Sequence, residues 1–466
     1  MKVCKFGGSS LADAAQLNKV IDIVLADPAR RIVVVSAPGK RNSKDTKVTD
    51  LLIALAKAAL ASVSGDRNVA APAGAECEAA LKQVVDRYAG IAADLKLGEE
   101  IVKTIEDDLK GRLAQVGALK PEEFMDLLKA AGEDNNAKLV AVAFGGRGKR
   151  ARYASPKDTG MVLEGSFGDA TLNPESYARL ARAFSNFEGI VIYPGFFGYT
   201  KEGKVATFPR GGSDITGSIL AAAVRADVYE NFTDVDSVYP CDPRIVEEVK
   251  DGDGIPTMTY REMRELAYAG FGVFNDDAVI PAVKARIPIN IRNTNHPSEP
   301  GTMIQQSRRV VPGTVVGIAS ADGFVNIVVE KYLMNREIGF GRRLLQVLEE
   351  EGISYEHMPS GVDSQCVVVK DQFLPKEKEH RIVQKIKEVL NPDFVTIERD
   401  LTMLMIVGEG MCYTPGMLAK ACLALASAGI SMSMVNQGSS EVSFMLAIRS
   451  ADRDVAVRAL YKAFFG

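Results

Sequence analysis

Two short stretches combine the residue types that handle anionic substrates. The first, "KFGGSS" (5–10), sets a lysine against two glycines and two hydroxyls. Glycines that follow a strand let a phosphate approach the backbone, and the free N–H groups of a helix start can hold it. Lys5 would add positive charge beside Gly7 and Gly8, and Ser9 and Ser10 would add donors or an N-cap. A tight turn with a serine cap and a solvated lysine explains the same residues equally well. The spacing is neither GxGxxG nor that of a P-loop, so neither a dinucleotide Rossmann domain nor a P-loop NTPase is supported. The second stretch, "FPRGGSDITGSILAAAVRA" (208–226), crowds an arginine, two glycines, a hydroxyl and a carboxylate at the start of an apolar helix. Arg210 suits a two-pronged clamp on a carboxylate or phosphate. Asp214 could hold Mg2+ or orient a nucleophile. A helix cap accounts for Ser213 and Asp214, but positive charge from Arg210 opposes the helix dipole and calls for an anion.

Two further stretches carry weaker signals. In "NFTDVDSVYPCDPR" (231–244), Thr233, Asp234 and Tyr239 could wall an adenine or ribose at the carboxyl end of a strand. A long, well-capped loop is the competing reading. In "AAGEDNNAKLVAVAF" (130–144), Glu133, Asp134, Asn135 and Asn136 read as the cap of an apolar helix.

The elements that must position these residues follow from periodicity. Residues 1–40 read strand, glycine turn, helix, strand, glycine turn, with the helix spanning "SLADAAQLNKVIDIVLAD". The continuous apolar run Ile32–Val35 points to a parallel sheet covered on both faces. Residues 48–131 are mostly helix-forming, with a break near 65–74, and strands alternate with helices over 139–300. After about 313 the pattern becomes β-α-β-β-α-β and then β-α-β-β-α, two ferredoxin-like units of which the second is one strand short. A spare strand, "GTVVGIAS" (313–320), precedes the first unit.

Composition excludes other classes. At 466 residues the chain is long enough for two to four domains, and 47% hydrophobic with 25% charged residues is ordinary for a globular protein. A net charge of −4 gives no global pull toward nucleic acid or anionic membrane. Six cysteines, at 4, 77, 241, 366, 412 and 422, lack metal-ligand spacing and fit reduced thiols in a cytoplasm. Three histidines, at 296, 357 and 380, leave little for a His-based zinc site or triad. No secretory signal or membrane-spanning run is evident.

Taken in this order, "KFGGSS", "GED" (132–134), "GFFG" (195–198), "RGGSD" (210–214) and "TDVDSVYPCDPR" (233–244) resemble the aspartate kinases of the amino-acid kinase family. "MVNQGSSEVSF" (434–444) is similar to the second of the paired ACT modules that close these chains. The resemblance covers nearly the whole sequence. It implies a mainly parallel three-layer αβα sandwich over 1–304, a first ACT module at 321–400, and a second built from 313–320 plus 401–466, the first inserted into the second. It implies phosphorylation of the side-chain carboxylate of L-aspartate by ATP, with Mg2+, as the first step toward lysine, methionine and threonine. By position, Lys5, Gly7, Gly8 and Ser9 would meet the phosphates, and Thr233, Asp234, Tyr239 and Arg244 would line the nucleotide site. Glu133 would take the substrate's ammonium group, and Arg210 its α-carboxylate, aided by Thr49 and Phe196. Ser213 and Asp214 would lie by the reacting groups, and Asp214 is the one candidate for direct Mg2+ ligation. A carboxylate is already a nucleophile near neutral pH, so the lack of a catalytic histidine or cysteine fits.

The resemblance also implies a homodimer or larger assembly through the ACT modules and feedback inhibition by a pathway amino acid, with lysine the leading candidate. "LMNREIGFGRR" and "ISYEHMPSGVDSQ" are the candidate effector segments. There Gly339 and Gly341 bracket Phe340 at a helix start, Met334, Phe340 and Tyr355 would border an aliphatic stem, and Glu356 or Asp363 would pair with an amino group. One departure stands out: where relatives carry "FGAKVLHP", this chain has "FGVFNDDAVIP" (271–281), with Phe274 in place of lysine and Asp277 in place of histidine. Asn136 likewise replaces a hydroxyl. The alternatives are a non-catalytic amino-acid and nucleotide sensor, or a kinase for another small acid such as glutamate. Retention of Lys5, Arg210 and Asp214 together argues against the sensor.

Overall fold

The apolar runs Lys2–Phe6 and Arg30–Val35 become neighbouring parallel strands joined through the helix Ala14–Ala26. Their side chains alternate between two covered faces. Cys4, Phe6, Val33 and Val35 bury into one core with the helices Ala14–Ala26, Val48–Ser64, Ala73–Asp94, Glu99–Leu113 and Pro121–Gly146. Lys5 points to the other face, against the helix Gly212–Ala223. The structure, a computed structural model, describes residues 1–64, 73–250, 254–270 and 276–466. These form two compact units, one of residues 1–238, 254–260 and 273–308, the other of 239–253, 261–272 and 309–466. The break near 65–74 and Phe274 fall largely or wholly outside the described residues.

The first unit is built on an eight-stranded sheet. Edge to edge it runs Thr257–Thr259, Thr302–Gln305, Ile289–Asn293, Val228–Thr233, Lys2–Phe6, Arg30–Val35, Ile190–Pro194 and Ala151–Tyr153. Every neighbouring pair is parallel except Ile289–Asn293 with Thr302–Gln305. This is the mainly parallel αβα sandwich that the sequence implies. Parallel strands leave their carboxyl ends on one edge, and ligands of open α/β sheets bind there. The segments after four of them carry Gly7–Ser9, Ser36–Lys47, Gly195–Phe196 and Asp234.

Two details correct the reading of the sequence. The helix after "KFGGSS" does not begin at the serines: Ser9–Leu11 form one 3-10 turn, and Asp13 caps the α-helix by accepting from the Gln16 amide at 2.9 Å. Asp13 wins the cap because Ser10 is buried and its hydroxyl is tied to that of Thr294 at 2.7 Å. Second, Glu133–Asn136 cap nothing. They lie in the middle of one continuous helix, Pro121–Gly146, which starts with proline at its first position. The sequence pattern also passes over two short antiparallel hairpins, Leu163–Ser166 with Asp169–Leu172 and Phe197–Tyr199 with Val205–Thr207.

The second unit has a six-stranded antiparallel sheet in the order Tyr355–His357, Ser364–Lys370, Gly317–Glu330, Phe394–Val407, Ser443–Arg449, Met434–Gln437. Its two central strands are each 14 residues long and serve two cores. Val325, Ile327 and Val329 bury with the helices Phe340–Glu350 and Lys376–Leu390. Leu404 and Ile406 bury with Met417–Ser427 and Arg453–Phe465, and Cys241, Ile245, Val246 and Val249 join them. The register shifts between Ala321 and Phe324, where Gly323 turns at φ +83°, so the strand passes from one core to the other. Gly317–Ala321 pairs with Met403–Val407 and supplies the fourth strand of the half built around Ser443–Arg449.

Candidate active site

The strand Lys2–Phe6 delivers Lys5 into a buried triad. Its Nζ lies 2.6 Å from Asp214 Oδ1 and 3.4 Å from Asn231 Oδ1, and Asn231 Nδ2 donates to Asp214 Oδ1 at 2.8 Å. Three elements meet here, since Asp214 stands in the first turn of Gly212–Ala223 and Asn231 on the neighbouring strand Val228–Thr233. Asn231 escapes sequence reasoning; the one trace is a pair of polar residues, Glu230 and Asn231, in an otherwise apolar strand. Both printed contacts of the Asp214 carboxylate fall on Oδ1, and a carboxylate suits a hard cation. Among the described residues no group of three or more His, Cys, Asp or Glu forms a metal site.

Two cavities share one wall. The larger, about 630 Å³, is lined by Gly7, Gly8 and Ser9, by Lys40, Asn42, Ser43 and Lys47, and by Thr233 and Asp234. The smaller, about 440 Å³, is lined by Phe196, Lys129 and the run Arg210–Asp214. Ser36, Thr49 and Glu133 line both. Thr49 sits in the first turn of Val48–Ser64. Arg210 is exposed, and Ser213 is buried. Phe196 holds φ +76°, a left-handed conformation costly for an aromatic residue. Its amide donates to Thr216 Oγ1 at 3.0 Å, and its carbonyl accepts from Phe208 at 2.9 Å, which hold the turn. Gly212 is required beneath it: a Cβ there would come within 2.6 Å of the Phe196 ring.

Glu133 is the most perturbed acid of this site. It is buried in mid-helix, its Oε2 has no partner, and burial pushes its carboxyl up to about 8 against the opposing pull of the Ala37 amide. Its polar neighbours are satisfied by tertiary partners. Asp134 takes Arg112 at 2.6 Å and Lys138 at 3.0 Å, Asn135 donates to Asp108 at 3.0 Å, and Asn136 donates to the Ser36 carbonyl at 2.6 Å. Lys129, another residue the motif reading passed over, pairs with Asp126 at 2.8 Å and lies 6.0 Å from the Phe196 ring centroid. A further cavity of about 630 Å³ is lined by Asp108, Arg112, Glu123, Tyr199 and Lys204, but its charges are already paired, Lys204 with Glu123 at 2.7 Å.

The first unit thus brings Lys5, Gly7, Gly8, Ser9, Thr49, Glu133, Phe196, Arg210, Ser213, Asp214, Thr233 and Asp234 around two adjoining cavities or the triad beside them. Tyr239 and Arg244 belong to the second unit, where Tyr239 packs against the core of Leu404 and Ile406 and Arg244 pairs with Asp242 at 2.7 Å. The candidate effector residues also lie there. Gly339, at φ +79°, precedes the helix Phe340–Glu350, and a Cβ on Gly341 would meet Gln365 at 3.2 Å. Met334 and Phe340 are buried in the module's core, and Tyr355 is exposed. Asp363 accepts from the Leu333 amide at 2.8 Å, and Glu356 accepts from the Tyr268 hydroxyl with Lys370 at 3.5 Å.

Comparison with known proteins shows the family and the fold. A model of the amino acid kinase family matches residues 1–293, and an ACT domain model matches 404–464. Aspartokinase 3 of Bacillus subtilis is 51% identical over 465 residues, spanning 100% of this chain and 99% of its own. The structure of Clostridium acetobutylicum aspartate kinase is 36% identical, with a TM-score of 0.86 over 100% of both chains. Two structures of Escherichia coli aspartokinase III, one with aspartate and ADP and one with lysine and aspartate, share the fold at TM-scores of 0.77 and 0.74 with 23% identity over 100% of both chains. Among the described residues no helix is long and apolar enough to cross a membrane.

Proposed function

The chain belongs to the amino acid kinase family, and from that premise we propose that it transfers the γ-phosphoryl group of ATP to the side-chain carboxylate of L-aspartate, giving 4-phospho-L-aspartate and ADP. The observation that carries this reading is the pair of cavities with a common wall at Ser36, Thr49 and Glu133. One has the glycine turn a polyphosphate needs, and the other has the arginine and buried acid that an amino acid needs. The B. subtilis relative, similar along its whole length, is an aspartokinase.

The residues divide the work by charge. Arg210 takes the α-carboxylate of aspartate and Glu133 its ammonium group, which turns the side-chain carboxylate toward the larger cavity. Phe196, Thr49 and Ser213 complete that pocket. The carboxylate oxygen attacks the γ-phosphorus, the bond to the β–γ bridging oxygen breaks, and ADP leaves with that oxygen's electron pair. No proton has to be removed from the nucleophile. Positioning and charge neutralisation therefore supply most of the catalysis. Lys5 neutralises the phosphates, with Gly7 and the amides of Gly8 and Ser9 around them, and Thr233 and Asp234 border the nucleotide. Asp214 would be the carboxylate that holds Mg2+ bound with the nucleotide, and the ion would supply charge neutralisation on the phosphates. Kinase chemistry occupies 1–304, and the regulatory modules are 321–400 and 313–320 plus 401–466.

We further assign feedback inhibition by lysine to the module around Phe340–Glu350, in a homodimer or larger assembly. The free N–H groups of that helix would receive the effector's carboxylate, and Glu356 or Asp363 its amino groups. Hydroxamate trapping of acyl phosphate with MgATP tests the reaction, with aspartate, glutamate and N-acetylglutamate run in parallel. Aspartate should be the acid that reacts. Trapping with glutamate alone, or with no acid, would overturn the assignment, the latter in favour of a sensor. Titrating lysine, threonine and methionine into the same assay identifies the effector. Lysine inhibition that survives Glu356→Ala with Asp363→Ala would remove those two carboxylates from the effector site.

A further inference from the structure

The loop after the strand Arg30–Val35 divides its cations into two kinds. Arg41 and the buried Arg87 both bind Asp45, Arg41 Nε at 2.9 Å and Arg87 Nη1 at 2.6 Å. Arg87 also donates to the carbonyls of Gly39 and Ala12. The loop is pinned to the phosphate turn itself, for the Gly39 amide donates to the Gly8 carbonyl at 2.8 Å and a Cβ on Gly39 would stand 2.5 Å from the Gly8 carbonyl carbon. At its far end the Val48 amide donates to the Pro38 carbonyl at 3.1 Å. These arginines are therefore consumed in shaping the loop. Lys40 and Lys47 are not: both are exposed, both line the larger cavity, and neither makes an ion pair or side-chain hydrogen bond among the described residues.

We propose that Lys40 and Lys47 bind the polyphosphate of the nucleotide, reaching it from the loop that is hydrogen-bonded to the Gly7–Ser9 turn. This rests on the reading of the larger cavity as the MgATP site. The charge balance requires such a pair. Lys5, the lysine on the turn side, is held at rest by Asp214. The remaining titratable lining is Asp234 and Glu133, which add no positive charge. A polyphosphate in this cavity therefore meets its uncommitted cations on the loop, at Lys40 and Lys47. The rigid anchoring by Arg87 and Asp45 also means that the lysines' backbones are already in place. Lys44, on the same loop, is exposed but does not line the cavity, so Lys40 and Lys47 are the loop lysines that the cavity singles out.

The test uses the full chain with Lys40→Ala, Lys47→Ala, the double variant, and the corresponding Lys→Arg changes. Hydroxamate kinetics give KM for ATP and for aspartate, and calorimetry gives the Kd of MgADP. A hydrogen bond to a charged group is worth roughly tenfold or more in affinity. Each alanine variant should raise the ATP KM by about that factor and leave the aspartate KM within about twofold, while arginine restores most of the loss. Melting temperatures equal to the unaltered chain's exclude misfolding. An active unaltered chain whose double variant keeps its ATP KM and MgADP Kd would overturn the proposal while leaving the reaction intact. A rise in the aspartate KM alone would overturn it as well. Weakened MgADP binding in a chain that traps no acyl phosphate would support the lysines and sink the proposed reaction.

Discussion

In the proposed aspartate site, Glu133 would make substrate binding a proton-linked event. Its carboxyl stands at about 8 in the empty site, against an ordinary value of 4.5, because burial disfavours the ionised form and Oε2 has no donor. At about 1.4 kcal/mol per unit, the ionised form is opposed by roughly 5 kcal/mol. At pH 7 the empty site therefore holds a neutral acid, and the substrate's ammonium group requires the anion. Binding must release close to one proton. Apparent aspartate affinity should rise about tenfold per pH unit below about pH 8 and level off above it. Between pH 6.5 and 8.5 the change is roughly 25-fold. Calorimetric titration of aspartate in buffers of different ionisation enthalpy counts the protons directly, and KM across the same range gives the slope. A flat affinity with no proton released would refute the reasoning, because the anion would then already exist in the empty site. The same shift predicts a stability effect of opposite sense to that of a salt-bridged acid. The folded state binds more protons than the unfolded one between about pH 4.5 and 8, so this group lowers stability progressively as pH rises through that window. Glu133→Gln should melt higher than the unaltered chain at pH 8.5, by less at pH 5, and should flatten the pH profile of aspartate KM.

The other predictions test the charge assignments and the backbone. Lys5→Ala and Asp214→Ala should each lower kcat about 10²–10³-fold, the worth of one oriented electrostatic contact, and more than a tenth of the activity in both would contradict their roles. Arg210→Lys should raise the aspartate KM with little change for ATP, since lysine lacks the two-pronged fork; the reverse pattern would move Arg210 to the phosphate side. Gly39→Ala forces a methyl against the Gly8 backbone at 2.5 Å and should cost roughly 1–3 kcal/mol by thermal melting while raising the ATP KM.

Sequence alone reveals the parts of the site whose backbone demands are unusual. "KFGGSS" and "RGGSD" stand out because glycines at strand ends and helix starts are needed for close approach, and that need is local. Glu133–Asn136 mislead for the opposite reason. Four polar residues in a row look like a cap, and it takes long-range partners, Arg112, Asp108 and the Ser36 carbonyl, to satisfy them inside a helix, with Lys138 one turn on pairing with Asp134. Asn231 is hidden because its meaning depends on which strand lies beside Lys2–Phe6, and the sequence does not state pairings. The long strands Gly317–Glu330 and Phe394–Val407 obey the same rule. Their alternation is legible, but a strand shared by two cores reads as two separate strands at its bulge.

The Lys5–Asp214–Asn231 triad gives the resting site its logic. A buried ammonium without a counter-ion would be strongly unfavourable, and Asp214 provides one at 2.6 Å. That partner becomes a liability when phosphates arrive, because a carboxylate beside a polyphosphate is repulsive. Asn231 would ease the exchange proposed for Lys5, because its amide donates to Asp214 Oδ1 independently of that lysine. On the proposed roles, a nucleotide that carries a divalent cation would turn the remaining repulsion into attraction at the Asp214 carboxylate, whereas a bare nucleotide would not. The carboxylate that pairs with Lys5 would then also select for the metal-bound nucleotide. Asp214→Asn should therefore narrow the difference between MgATP and metal-free ATP binding, with the weaker MgATP affinity as its larger component. Equal loss of both affinities would show that Asp214 only positions Lys5.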